Sequence, residues 1–143
     1  MDLRESLTLE RYRLAVERQQ YFTGLARDAF ANYAKFAVAI GAIAIGLVSA
    51  RESLGLDKAV IPDAMAVLAS LLVFIAIVAI TQVLIGMIRW RQFRRLQIEI
   101  DPDPPSPHAL WWLAEAVYLL IIVGSVILGW RTLEAFSRAA SGS

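Results

Sequence analysis

The sequence contains no cysteine and a single histidine, His108, among its 143 residues. Without cysteine the chain cannot form a disulfide, a CxxC redox site or a cysteine-ligated zinc site. One histidine excludes the HExxH zinc motif, and no P-loop, dinucleotide-binding or nucleophile-elbow motif is present. We therefore expect no catalytic residues, no metal and no cofactor, and we expect that the protein is not an enzyme.

Charge is also scarce, because charged residues make up 19% of the chain and the 14 basic and 13 acidic residues nearly cancel. This balance gives no electrostatic basis for binding nucleic acid. Hydrophobic residues make up 58% and the mean hydropathy is +0.57, whereas a soluble domain has roughly 45–50% apolar residues. The composition predicts an all-α integral membrane protein whose first partner is the lipid bilayer.

Three apolar segments predict three transmembrane helices in one membrane domain, residues 1–143. Residues 64–88 are 25 positions without a charge, and about 20 suffice to cross the ~30 Å hydrocarbon core. Residues 29–50 and 109–130 also reach 22 positions each, but they include Lys35 and Glu115 respectively. Aromatic residues at their ends, such as Tyr33, Trp111 and Trp130, favour spanning, because such rings prefer the headgroup level. An interfacial or hairpin arrangement is the alternative for these two segments.

Basic residues predict the orientation of the three spans. Five arginines lie in residues 1–28 and four in the connection 89–108, against two basic residues in the loop 51–63 and two in the tail 131–143. Because Lys and Arg remain on the cytoplasmic side, we expect the N-terminus inside and the C-terminus outside. No signal peptide is evident, and the localisation predicted is the cell inner (plasma) membrane.

Residues 1–28 have the pattern of an amphipathic cytoplasmic helix that continues toward the first span. Leu7, Leu14 and Tyr21 fall on one side at 100° per residue, and Leu9 and Tyr12 lie on a second patch. Two interpretations remain open. The helix lies flat on the inner leaflet, or it forms a continuous stalk that packs against copies of itself.

The connection between the second and third spans begins with a mixture of aromatic and basic residues. Trp90 and the arginines Arg89, Arg91, Arg94 and Arg95 directly follow the second span, where anionic lipid headgroups are the expected partner. Such a mixture also occurs in nucleic-acid sites, but its place beside a membrane span favours lipid. Residues 101–107 then include four prolines, which predict a rigid turn.

Small residues in the first span predict helix–helix contacts. Ala37 and Gly41 belong to one stripe and Ala42 and Gly46 to another, and small residues at this spacing let helix backbones approach closely in lipid. Two stripes imply two partner surfaces. We therefore expect a homo-oligomer or a subunit of a larger membrane complex.

Three polar residues are predicted to share one depth in the membrane. Lys35, Gln82 and Glu115 each lie six residues from the cytoplasmic end of their span, which is about 9 Å at 1.5 Å per residue. Because an unpaired charge in hydrocarbon is costly, we expect a Lys35–Glu115 ion pair within or between protomers, with Gln82 nearby. Snorkelling of Lys35 to the headgroups is the alternative.

The function indicated is assembly, as an oligomeric scaffold or an accessory subunit of a membrane complex. The first alternative is an oligomeric ion channel or transport protein that uses the Lys35, Gln82 and Glu115 layer. A weaker alternative is a subunit of a membrane enzyme that holds a lipid or a quinone.

Overall fold

The structure is a computed structural model that describes residues 3–50, 53, 55, 60–101 and 111–141. They form three long helices, α1 (Leu3–Ser49), α2 (Val60–Ile100) and α3 (Trp111–Ser141). Pro62 and Asp63 lie in the first turn of α2, where a missing N–H and an acidic side chain are both favourable. Gly55 in the connection from α1 has a φ of 61°, which glycine adopts without a steric penalty. The all-helical prediction is confirmed.

All three helices contain a stretch long and apolar enough to cross a membrane, within Ser6–Ser49, Val60–Ile100 and Leu113–Ala139. The helices are longer than the predicted spans. At 1.5 Å per residue, α1 is about 70 Å long and α2 about 60 Å, roughly twice the thickness of a hydrocarbon core. Helix α1 runs without interruption through residue 28, so a separate helix lying flat before the first span does not occur in this structure.

Helices α1 and α2 form an antiparallel pair, and α3 packs mainly on α2. The central core combines Tyr33 and Ile40 of α1, Leu72 and Ala76 of α2, and Ile122 of α3. Small buried residues recur along both paired helices, and they allow a close approach of the two backbones. The backbones approach closely at Gly86, where an added Cβ would lie 3.1 Å from the carbonyl oxygen of Phe22.

The α1–α2 pair continues beyond the predicted spans as a helical hairpin that we call the stalk, residues 6–28 of α1 and 89–100 of α2. Phe22 and Phe93 stack there with ring centroids 5.8 Å apart, and Ala15 and Gln97 are buried. Helix α1 is therefore continuous, as the stalk interpretation predicted, and its face with Ala15 and Phe22 contacts the chain's own α2. Packing of the stalk against copies of itself stays a prediction. The proline-rich segment 102–107, His108, Arg51 and Lys58 lie outside the described residues.

Candidate functional site

The predicted polar layer is not assembled within one chain. Lys35 is exposed on α1, Gln82 is half-buried on α2 and Glu115 is buried on α3. Neither carboxylate oxygen of Glu115 has a hydrogen-bond partner, so the Lys35–Glu115 ion pair does not form inside the protomer. Lys35 and Glu115 were predicted at the same depth in the membrane. In the structure Lys35 is on an exposed side of α1, whereas Glu115 is on a buried side of α3. A shared depth does not determine the direction in which a side chain points.

Glu115 is 2% exposed and belongs to the face of α3 that contacts the other two helices. Leu119, one helical turn further along, packs against Ala26, Ala29 and Val83. Arg91 on α2 is the charged side chain that acts electrostatically on the carboxylate. The site is therefore a buried carboxyl group at the junction of three helices, near the base of the stalk.

A second polar contact joins α1 to α3 inside the apolar core. The hydroxyl oxygens of Tyr33 and Ser125 lie 2.6 Å apart, and Ser125 donates to the carbonyl oxygen of Ile122 at 2.9 Å. Tyr33 was predicted at the headgroup level, whereas the structure buries it to 2% exposure. Ser125 escaped notice because a single serine in an apolar run is also compatible with a bond to its own helix.

A third polar cluster is centred on Gln97, which is buried between the two helices of the stalk. Its side-chain oxygen accepts from Gln19 at 3.2 Å and from Arg94 at 2.8 Å, and its nitrogen donates to the Tyr12 hydroxyl at 3.1 Å. The cluster connects α1 to α2 outside the predicted spans. Sequence reasoning missed it because the pairing of residues 12 and 19 with residue 97 follows only from the hairpin geometry.

The basic cluster divides into exposed and partly buried members. Arg89, Arg91 and Arg95 are exposed, whereas Arg94 is half-buried and bonded to Gln97. Trp90 is half-buried at the same level. Binding of lipid headgroups by these residues stays a prediction, and Arg94 also contributes to the structure of the stalk.

The predicted packing residues of the first span face two ways. Ala37 packs against the core, which accounts for one of the two partner surfaces. Gly41, on the same stripe as Ala37, is half-buried, and an added Cβ there would meet no atom within 4 Å. On the other stripe, Ala42 and Gly46 are exposed, and there is open space around Gly46. The second surface is therefore not covered by the described part of the chain.

A shallow groove of about 200 Å³ lies near the opposite end of the bundle, lined by Pro62, Met65, Ala66, Ala69, Trp130, Leu133, Glu134 and Ser137. Pockets for drug-sized ligands are typically about 300–1,000 Å³, so this groove gives little support to the quinone-holding alternative. Among the described residues no group of three acidic or histidine side chains is arranged to hold a metal ion.

Comparison of the chain with protein-family models, with curated proteins and with solved structures found no match.

The contact between Tyr33 and Ser125 should stabilise the packing of α1 on α3. We expect Tyr33→Phe and Ser125→Ala to destabilise the folded protein, because each removes the hydrogen bond between the two hydroxyl groups that joins α1 to α3. Their coupling in a double-mutant cycle should be about 0.6 kcal/mol and at most ~1.7 kcal/mol, as for interhelical hydrogen bonds in membranes. Unfolding in mixed detergent micelles measures each variant, and strictly additive losses would contradict the contact.

The Gln97 cluster should hold the stalk together. We expect Gln97→Ala to cost about 1 kcal/mol of local stability, because three partner groups lose a bond but water can reach part of the stalk. Hydrogen exchange of the backbone amides in residues 12–22 should accelerate. Gln92→Ala is the matched control, because Gln92 is exposed on the same helix; equal acceleration in both variants would argue against the cluster.

Proposed function

We propose that the chain is a small multi-pass membrane protein that acts through assembly, by pairing α1 with α1 of a second copy. The observation that carries the proposal is a stripe of exposed residues along α1, which changes its chemistry where the helix leaves the predicted span. We call this stripe the outer seam. Its members follow alternating four- and three-residue steps, and those that carry the argument are Leu7, Leu14, Tyr21, Asn32, Lys35, Ala39, Ala42 and Gly46.

In the stalk the outer seam alternates large apolar side chains with the exposed arginines Arg11 and Arg18. Leu7, Leu14 and Tyr21 recur every seventh residue and are 49%, 52% and 59% exposed. Water surrounds this part of α1 if residues 29–50 cross the membrane, so covering these side chains is favourable, by about 1 kcal/mol for each half-exposed side chain. An apolar residue at every seventh position supplies one of the two apolar positions of the heptad by which two helices pack together.

In the predicted span the same seam consists of small side chains. Ala39, Ala42 and Gly46 are exposed, and there is open space around Gly46. Lipid provides no hydrophobic drive for helix association, so close approach of the backbones has to provide the attraction. The change from large to small residues matches the change from water to lipid, which supports one continuous contact along both parts of α1.

Two polar residues lie on the outer seam between these parts. Asn32 and Lys35 are exposed there, at a depth where contact with lipid tails is costly. The Lys35 side chain leans toward the helix N-terminus, and Asp28 lies on the seam two turns away on that side. In a parallel pair, Asn32 would face Asn32 of the second copy. The Lys35 side chain would extend toward the level of Asp28 in the second copy. This complementarity favours a second copy as the occupant.

The finer localisation is part of the same proposal. We place the protein in the cell inner membrane, with the stalk in the cytoplasm and the C-terminal end of α3 outside. The support is the excess of arginine in residues 1–28 and in the connection 89–108, together with the retention of basic residues on the cytoplasmic side. All copies then insert in one direction, which makes an α1–α1 contact parallel and twofold symmetric.

The absence of cysteine allows a direct test of the outer seam. We expect Leu14→Cys and Ala42→Cys to form interchain disulfides in native membranes under mild oxidation, because each residue would meet its equivalent across the twofold axis. Leu9→Cys and Val38→Cys are the matched controls, because they are 67% and 74% exposed at similar levels but lie off the seam. Non-reducing electrophoresis measures the dimer fraction.

Equal cross-linking at seam and control positions would contradict the proposal. A native mass that corresponds to one chain in lipid nanodiscs would also contradict it. A mass that includes a different protein, with no cross-link between seam positions, would favour an accessory subunit of a hetero-complex instead.

The orientation is tested with the same set of variants. We expect Leu9→Cys in the stalk to react with a membrane-impermeant maleimide in inverted vesicles, and Ala135→Cys near the end of α3 to react in right-side-out vesicles. Both positions are exposed in the structure, so access depends on the side of the membrane. The reverse pattern would place the stalk outside.

A further inference from the structure

Glu115 is a buried acidic side chain that has no hydrogen-bond partner among the described residues. It is 2% exposed, and both of its carboxylate oxygens lack a hydrogen bond. The apolar contacts of Leu119 with Ala26, Ala29 and Val83 close the site one turn further along α3.

The charged groups around the site do not compensate a carboxylate by contact. On α2, Arg91 acts on Glu115 electrostatically, but Arg91 is exposed and forms no hydrogen bond to the carboxylate. On α1, Arg27 and Asp28 flank the buried Ala26 and Ala29, but they are 3.8 Å from each other and exposed. On α3, the neighbouring Tyr118 stacks on Phe30.

Burial costs the ionised form of the Glu115 carboxyl group more free energy than it costs the neutral form. An ionised carboxylate taken out of water without a bonded partner costs several kcal/mol. A neutral carboxyl group with unsatisfied oxygens costs about 1–3 kcal/mol. The proton is a ligand small enough to enter the closed junction, and it removes most of the penalty.

We propose that Glu115 is a proton-binding site, whose carboxyl group is held in its neutral acid form by the closed junction of α1, α2 and α3. The proposal does not depend on pairing of α1 between copies, because every group that forms the site belongs to one chain. Release of the proton would leave a carboxylate that attracts Arg91. Binding of the proton to Glu115 would therefore be coupled to the packing of α2 against α3.

A hydrophobic carbodiimide provides the chemical test. The O–H of a carboxylic acid adds across one N=C bond of dicyclohexylcarbodiimide, with the proton passing to nitrogen and the oxygen bonding to the central carbon. The resulting O-acylisourea rearranges to a stable N-acylurea where water is excluded. Nothing leaves and no oxidant is required, so the reaction reports a protonated carboxyl group in an apolar site.

The full chain is treated with dicyclohexylcarbodiimide in lipid bilayers at several pH values, and adducts are located by peptide mass spectrometry. We expect one adduct at Glu115 that becomes weaker as the pH is raised, and complete loss of this adduct in Glu115→Gln. Glu134 is an internal control, because it is a carboxylate on the same helix that is paired with Arg138 and partly exposed. The comparison of Glu115 with Glu134 in the unmodified chain requires no variant, and Glu115→Asp provides a second acid at the site.

The variant Arg91→Gln tests the opposite assignment, in which Glu115 is ionised and its carboxylate is stabilised by Arg91. If Glu115 binds a proton, this variant keeps the adduct, since the cation is not required for protonation. If Glu115 is instead ionised by Arg91, the unmodified chain shows no adduct and Arg91→Gln gains one. That result, or equal labelling of Glu115 and Glu134 in the folded protein, would overturn the proposal.

Discussion

The antiparallel pairing of α1 with α2 is the constraint on which the other features of this fold depend. At Gly86 the two helices approach so closely that a Cβ atom would lie 3.1 Å from the backbone of α1. The same pairing aligns Phe22 with Phe93 and Gln97 with two side chains of α1. Small residues permit the close approach of the two backbones, and polar residues determine the register of α1 against α2. The pair can therefore extend from an apolar environment into an aqueous one without a break.

The third helix is packed by a different balance of interactions. It covers one side of the pair with apolar side chains, and a buried pair of hydroxyl groups joins it to α1. Most hydroxyl groups in the apolar parts of the helices are satisfied locally. Ser70, Thr81 and Thr132 each donate to the carbonyl oxygen four residues earlier, which lets them face lipid at little cost. Neither carboxylate oxygen of Glu115 has a hydrogen-bond partner among the described residues, which distinguishes it from these hydroxyl groups.

Sequence reasoning predicted the helical class and the three apolar helices, because uninterrupted apolar runs of this length have few other solutions. Helix α2 extends beyond the predicted span, through the basic segment to Ile100. It did not predict the contacts between helices. Lys35 and Glu115 have matching depths, but depth gives no information about rotation around a helix axis, and the structure separates them. Tyr33 and Gln97 illustrate the same limit, since both carry polar groups whose buried partners lie more than 75 positions away in the sequence.

The unbroken course of α1 has a mechanical consequence. A helix without a hinge transmits a change of tilt as a rigid lever, and the bond between Gln19 and Gln97 ties the lever to a second helix. From residue 28 to residue 3 the lever arm is about 38 Å, so, if residues 29–50 cross a bilayer, a tilt of ~10° there would move its tip by ~7 Å. A change of tilt inside the lipid and a displacement at the far end of the stalk would therefore be geometrically linked. The size of the displacement would depend on the ratio of the helix lengths inside and outside the lipid.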